Sequence, residues 1–162
     1  MVNGVGTDQF NAPAVTGLAM YNYDLLWTSY NAGATYLNGV PESSGSNIDS
    51  RYVTTDGDNV YWTASDGNQV WYAPLSTSGS SAAPTLLSGY ESQPWGITAD
   101  GPYSIYWVNK TSGTIRHARY SGGTWTVRSL AQGSSPSDIC ADQNYLYWTD
   151  TGSNRILSLR KW

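Results

Sequence analysis

The chain has 162 residues and few charged ones (12%), with 12 acidic and 8 basic side chains that leave a net charge of −4. The basic residues form no run, which argues against nucleic acid or an anionic membrane as a partner, because both require clustered cations. Eight Trp and 13 Tyr provide ample apolar surface for a core, so the composition excludes a disordered chain and favours one domain, residues 1–162.

A repeated pattern follows the first 14 residues along the chain. Each copy has a strand with a central tryptophan, a polar turn that usually contains glycine, and then a second alternating strand. The tryptophans lie roughly 40 residues apart, which is the repeat length of a propeller blade. The copies are 23–40, 58–75, 103–120 and 144–161, and their tryptophans are Trp27, Trp62, Trp107 and Trp148.

Each copy is flanked by further strand-like segments. A short strand precedes it, and in three copies this strand ends at an aspartate of a tight turn, at Asp56, Asp100 and Asp142. A fourth strand-like segment follows the second and third copies. The sequence therefore predicts an all-β fold, a β-propeller of four four-stranded blades, with approximate units at 15–50, 51–94, 95–136 and 137–162 plus 1–14.

Adjacent aromatic residues mark the second strand of three units. Neighbouring residues of a strand point to opposite faces, and both faces of a propeller blade pack against other blades. We therefore expect these pairs to be core residues rather than a binding site. The pairs are Tyr61–Trp62, Tyr106–Trp107 and Tyr147–Trp148.

The segment Tyr147-Trp148-Thr149-Asp150 resembles the YWTD repeat of lipoprotein-receptor-type propellers, and the whole chain resembles secreted bacterial propellers. The resemblance implies YWTD-like blades over most of residues 15–162. Such families typically have six blades, whereas four units are visible here. The final aspartate of the motif occurs only at Asp150, and its counterparts are Ser29, Ala64 and Asn109.

The last unit contains three strands, so a closed ring requires an outer strand from elsewhere. We expect residues 1–14 to supply it. Two arrangements are open: a four-bladed ring within one chain, which we favour, or a larger ring shared between two chains, with eight blades. An unclosed propeller would expose sheet edges and blade faces.

Polar residues concentrate in two kinds of loop that meet on one face of a propeller, around a single aromatic residue. Hydroxyl-rich ligands pair with amides and carboxylates and stack on an indole ring, so a carbohydrate, or else a short peptide, is the expected ligand. No metal or cofactor is expected. The candidate ligand-binding residues are Trp95, Asp66, Asn68, Asn109, Lys110, Asp150, Arg155 and Arg51.

Catalytic signals are sparse. The only histidine, His117, lies in a predicted third strand, and the only cysteine, Cys140, is expected to be a small buried apolar residue. The favoured function is a non-enzymatic extracellular recognition module, without insertion into a membrane. A self-assembling structural role, for instance as a homodimer, comes second, and a hydrolase that uses Asp66 and Asp150 comes third. The N-terminus shows no signal peptide, so we expect that a leader was removed or replaced by Met1.

Overall fold

A computed structural model describes residues 14–38, 40–44, 50–75 and 83–161. In these ranges the regular structure is entirely β, which confirms the predicted class. Fifteen strands form four antiparallel sheets, and each sheet consists of strands that are consecutive along the chain. This up-and-down order is the one that four successive repeat units would produce.

The first two sheets cover the first half of the chain. Sheet 1 contains β1 (Val15–Tyr21), β2 (Asp24–Ser29), β3 (Ala34–Leu37) and β4 (Val40–Ser44). Sheet 2 contains β5 (Ser50–Thr55), β6 (Asn59–Ala64), β7 (Gln69–Pro74) and β8 (Thr85–Ser88).

The other two sheets differ by one strand. Sheet 3 contains β9 (Pro94–Ala99), β10 (Ser104–Asn109), β11 (Thr114–Ser121) and β12 (Thr124–Gln132). Sheet 4 contains β13 (Pro136–Ala141), β14 (Tyr145–Asp150) and β15 (Arg155–Arg160). The three-stranded last unit is as predicted. The closing strand was expected from residues 1–14, of which 1–13 lie outside the described residues.

Successive sheets pack face to face through three apolar clusters. One face of each sheet carries Trp27, Trp62, Trp107 or Trp148, and we call it the Trp face; the opposite one, with Leu26, Tyr61, Tyr106 or Tyr147, is the Tyr face. In every cluster the Tyr face of one sheet meets the Trp face of the next. The first strands of the sheets, β1, β5, β9 and β13, contact one another in chain order.

The aspartate turns explain why tyrosine precedes tryptophan in the motif. The Asp56 carboxylate accepts hydrogen bonds from the backbone N–H groups of Asp58 and Asn59 and from the Tyr61 hydroxyl, at 2.6 Å. Asp142 is used in the same way in sheet 4, where the Tyr147 hydroxyl donates at 3.0 Å. The tyrosine thus fills the interface with its ring and ties the turn to its own sheet with its hydroxyl.

Burial confirms the aromatic-pair prediction in sheets 2 and 3 and corrects it in sheet 4. Tyr61, Trp62, Tyr106 and Trp107 are buried, whereas Tyr147 is only half-buried. The expectation of a buried Cys140 is wrong, since this residue is exposed. The two corrections share one physical reason: both side chains lie on the Tyr face of sheet 4, which no further sheet covers among the described residues.

Candidate functional site

A cluster of aromatic and cationic side chains joins the first three sheets, and we call it the mouth cluster: Tyr30, Arg51, Asp66, Trp95 and Lys110. The Arg51 guanidinium carbon lies 4.6 Å from the centre of the Tyr30 ring and 4.5 Å from that of Trp95. The Arg51 Nε donates to Ser65 Oγ at 2.9 Å. These contacts hold the guanidinium between two aromatic rings, an arrangement that cation–π attraction stabilises.

A second cation approaches the same indole. The Lys110 ammonium lies 4.0 Å from the centre of the Trp95 ring. The indole N–H of Trp95 donates to the Tyr52 hydroxyl at 2.9 Å, which fixes the plane of the ring. Trp95 was expected in a loop between strands, but it belongs to β9. Its backbone is therefore held by the sheet. The Trp95 carbonyl also accepts a hydrogen bond from Thr63 Oγ1 at 2.8 Å. The site is therefore built on a rigid strand.

Asp66 completes the cluster with an acidic group. Its carboxylate accepts from the Tyr30 hydroxyl at 2.5 Å, and its side chain is exposed in the turn between β6 and β7. The cluster thus combines two cations, one carboxylate and aromatic rings, all at least partly exposed. Such a surface can recognise a ligand that offers hydroxyl groups together with a negative charge.

Asn68 supports the cluster from the backbone side. The backbone of Asn68 has a positive φ of 54°, which asparagine tolerates in tight turns. The Asn68 side-chain oxygen accepts a hydrogen bond from the Gln93 N–H at 2.9 Å. The Lys110 N–H in turn donates to the Gln93 carbonyl at 2.9 Å. Asn68 therefore links the turn of sheet 2 to the segment that carries Trp95 and Lys110.

Two other predicted residues are buried and serve the fold. Asn109 donates to a Glu91 carboxylate oxygen at 2.5 Å and to Thr114 Oγ1 at 3.0 Å, and Arg116 forms an ion pair with Glu91 at 3.2 Å. Because Glu91 is buried, this charged group needs these partners. Asn109 is thus occupied inside sheet 3 rather than presented to a ligand.

Asp150 is likewise enclosed, at the end of β14. Its carboxylate accepts from the backbone N–H groups of Ser134, Ser135 and Ser153 at 2.6, 3.2 and 3.0 Å. Burial by itself would raise the pKa of Asp150, but these three donors outweigh it and lower the pKa below its usual value. The final aspartate of the YWTD motif therefore organises loops. Arg155, the last predicted residue, is exposed on β15 in sheet 4, apart from the mouth cluster.

A second polar cleft of about 460 Å³ lies between sheets 3 and 4, and the sequence did not reveal it. Four of the eight cationic side chains of the protein line it, and Lys161 forms an ion pair with Asp100 at 2.6 Å. His117 lies at its floor, buried and stacked on Tyr106 with ring centres 4.4 Å apart. Burial, together with the Arg128 and Arg119 charges, lowers the pKa of His117 to about 4. The other cationic residues of the cleft are Arg119, Arg128 and Arg160.

Two aromatic members of the site environment, Tyr30 and Tyr52, were missed because they lie in different repeats, far in sequence from Trp95. Arg51 and Trp95 occupy equivalent positions in the inner strands β5 and β9. This equivalence is the sequence signal that could have drawn attention to the aromatic residues around them. Within the described ranges, His, Cys, Asp and Glu side chains form no group of three or more that could hold a metal ion. The same part of the chain contains no helix that is long and apolar enough to cross a membrane.

Comparison with protein families and curated proteins yields a short sequence match. No family model matches the chain. The Protein cueball of Anopheles gambiae is 33% identical over 84 residues, which is 48% of this chain and 12% of that protein. The match is too short to establish a family.

Solved structures agree over nearly the whole chain. A chain of the nidogen–laminin complex matches with a TM-score of 0.76 and 20% identity, over 91% of this chain and 61% of that one. A catalytically inactive variant of virginiamycin B lyase from Staphylococcus aureus matches with a TM-score of 0.65 and 18% identity, over 91% and 55% of the two chains. The computationally designed Ika4 protein matches with a TM-score of 0.70 and 14% identity, over 96% and 99%.

These structures define the class of protein: the sheets have the arrangement of β-propeller blades. At such identities the likeness shows the fold alone, and it includes both a protein-binding complex and an enzyme. The chain spans little more than half the length of the two natural structures and nearly all of the designed one.

Proposed function

We propose that this protein is a non-enzymatic extracellular binding module of the YWTD type, and that it recognises carbohydrate at the mouth cluster. The observation that carries the proposal is the pair of cations, Arg51 and Lys110, that lie over Trp95 beside the exposed Asp66 carboxylate. The occurrence of the fold in a protein complex, that of nidogen and laminin, supports a binding role.

The charges of the cluster refine the class of carbohydrate. Arg51 and Lys110 lie close to the indole ring, so a ligand meets a guanidinium and an ammonium group beside the aromatic surface. Hydrogen bonds between such cations and a carboxylate are stronger than those between neutral groups. The exposed Asp66 carboxylate, which accepts a hydrogen bond from the Tyr30 hydroxyl, places an acidic group beside these cations. We therefore infer that the ligand is an acidic saccharide.

Binding to an array of neutral and acidic glycans tests this function. The wild-type protein is expected to retain carboxylate-bearing glycans, and Trp95→Ala and Lys110→Gln to reduce that binding at least tenfold. Arg155→Gln is the matched control, since it removes one positive charge outside the mouth cluster. Equal binding by Lys110→Gln and wild type would contradict the proposed site, and a preference for neutral glycans would contradict the acidic ligand.

Hydrolysis by paired carboxylates has less support. The Asp66 carboxylate accepts a hydrogen bond from the Tyr30 hydroxyl. The buried Asp150 carboxylate of sheet 4 accepts hydrogen bonds from three backbone N–H groups. A hydrolase needs two carboxyl groups that flank one reacting bond. The contacts of these two aspartates give each of them a separate local role.

A second candidate function, self-assembly, is favoured by one specific observation. The outward faces of the first and last sheets expose apolar residues, among them Leu18 at 66% and Ile156 at 76% exposure. Apolar faces of this kind are interaction surfaces or aggregation risks. Assembly and ligand binding use different surfaces of the chain, so the two functions are compatible.

A further inference from the structure

The three sheet interfaces within the chain are variants of one design. Each joins the Tyr face of one sheet to the Trp face of the next through an apolar cluster. In two of them a threonine of the second strand also bonds across: Thr28 donates to the Arg51 carbonyl at 3.0 Å and Thr63 to the Trp95 carbonyl at 2.8 Å. Each interface therefore offers a standard against which the two end faces can be compared.

The Trp face of sheet 1 has the residue types of a buried interface, and no other sheet covers it among the described residues. Trp27 at its centre is only 3% exposed, so the open part of this face lies along β1. Leu18 is 66% exposed, whereas its equivalents in the next three sheets, Val53, Ile97 and Ile139, are only 5 to 6% exposed. Met20 on the same face is 70% exposed. The equivalence follows from strand register, because Leu18, Val53, Ile97 and Ile139 each pair with the tryptophan of the adjacent strand.

The Tyr face of sheet 4 shows the same contrast. Ile156 is 76% exposed, whereas the equivalent third-strand residues Thr35, Val70 and Ile115 have no exposed surface. Cys140 and Thr149 are exposed on this face as well. A shallow apolar depression of about 170 Å³ lies here, and Cys140, Tyr147 and Ile156 contribute to it.

Thr149 shows how the missing contact would be made. In sheet 2, Thr63 Oγ1 accepts from the Tyr52 N–H at 3.2 Å and donates to the next sheet. Thr149 Oγ1 accepts from the Asp138 N–H at 3.0 Å in the same manner, and it also lies within hydrogen-bond distance of Ser137 Oγ, at 2.8 Å. Its counterpart acceptor in a following sheet would be the carbonyl of Thr16, which occupies the position of Arg51 and Trp95 at the start of the inner strand.

We propose that the Tyr face of sheet 4 docks on the Trp face of sheet 1 of a second copy of this chain. The two end faces are one of each kind and both expose apolar residues, so they are complementary and continue the pattern of the three internal interfaces. Head-to-tail contacts of this type close into a ring when the rotation allows it. Two copies give eight sheets, at the upper end of the usual range for propellers of about four to eight blades, and a third copy would exceed it.

The proposal specifies the second candidate function, self-assembly, and is independent of carbohydrate binding. Leu18 and Ile156 lie outside the mouth cluster, so variants at these positions leave Arg51, Trp95 and Lys110 in place. Glycan binding and assembly can therefore fail separately.

Sedimentation equilibrium of the full chain tests the docking. The expected mass is twice that of the 17.6 kDa chain. Leu18→Arg and Ile156→Arg are each expected to halve it, because each places a charge in both copies of the interface. Leu86→Arg is the control, since Leu86 is an exposed apolar residue on the outermost strand of sheet 2, 46% exposed. A dimer that persists in both end-face variants would overturn the proposal.

Thiol labelling of the wild-type protein gives a second, independent readout. Cys140 is the only cysteine, and docking would cover it. In the wild type its reaction with a thiol reagent should slow at least tenfold as protein concentration rises through the association range, and it should stay fast in Ile156→Arg. A monomer with a protected Cys140 would show that the chain covers its own face, and a monomer with a reactive Cys140 would show that no copy docks. Either result overturns the proposal.

Discussion

Acidification should destabilise the protein through His117, mostly at pH values above those at which Asp142 and Asp150 lose their contributions. His117 is buried against Tyr106, and burial together with Arg128 and Arg119 lowers its pKa to about 4. In the unfolded chain a histidine titrates near its ordinary pKa of about 6.5. Between these two values the unfolded state binds more protons than the folded state, so the free energy of unfolding falls as the pH falls.

The size of the effect follows from the shift. One pKa unit corresponds to about 1.4 kcal/mol, so the difference between about 6.5 and about 4 sets an upper value of about 3.5 kcal/mol. The stabilisation is fully present above pH 6.5, is lost progressively below it, and is gone below pH 4. Because a domain is stabilised by only about 5–15 kcal/mol, this loss is readily measurable.

Urea unfolding followed by tryptophan fluorescence, at several pH values between about 7.5 and about 4, measures the effect. His117→Phe is the control, since it keeps an aromatic ring against Tyr106 and removes the titrating group. Asp142 and Asp150 have pKa values below the usual one, so their contributions disappear at still lower pH and are common to both proteins. Equal losses of stability in the wild type and His117→Phe across this range would refute the reasoning. Arg128→Gln should reduce the loss, because it removes one charge that lowers the His117 pKa.

Three further results are expected. Gly96→Ala should destabilise the protein by about 1–3 kcal/mol in thermal unfolding, because the added Cβ would lie 2.6 Å from the Asp138 backbone. Gly89→Ala is the control: its Cβ would meet only a side-chain atom, at 3.7 Å, so it should destabilise the protein less. Asp150→Asn should cost about 1–3 kcal/mol in urea unfolding, because it weakens bonds to three backbone donors, and an unchanged midpoint would contradict the structural role of this carboxylate. In an alkaline ultraviolet titration Tyr61 should ionise last among the tyrosines, since burial and the neighbouring Asp56 raise its pKa, and one less late-titrating tyrosine in Tyr61→Phe is the check.

The sequence was sufficient to predict the sheets because the repeat is a local signal. The tryptophan strand, the aspartate turn and the three-stranded last unit can each be read within about 40 residues, and strand alternation then places the aromatic residues on the two faces. The prediction that one domain spans residues 1–162 stays a prediction, as does the closing role of residues 1–14.

The site depended on distances that no local pattern contains. Arg51, Trp95 and Lys110 come from three segments and meet only because successive sheets pack against each other. Asn109 and Asp150 have the residue types of a polar site, yet the backbone donors and the buried Glu91 around them turn both into supports of the fold. Residue type alone cannot distinguish these two uses.

The burial of the first and last sheets shows the same difference between what residue type indicates and what tertiary contacts decide. Every repeat specifies a Tyr face and a Trp face, so the amino-acid sequence by itself determined what each sheet offers to a neighbour. Which faces actually have a neighbour is a property of the assembled sheets, and only the tertiary structure shows that Leu18, Cys140 and Ile156 have none among the described residues. The physical reason is that strand alternation is local, whereas the removal of an apolar face from water requires a second surface brought from a distance.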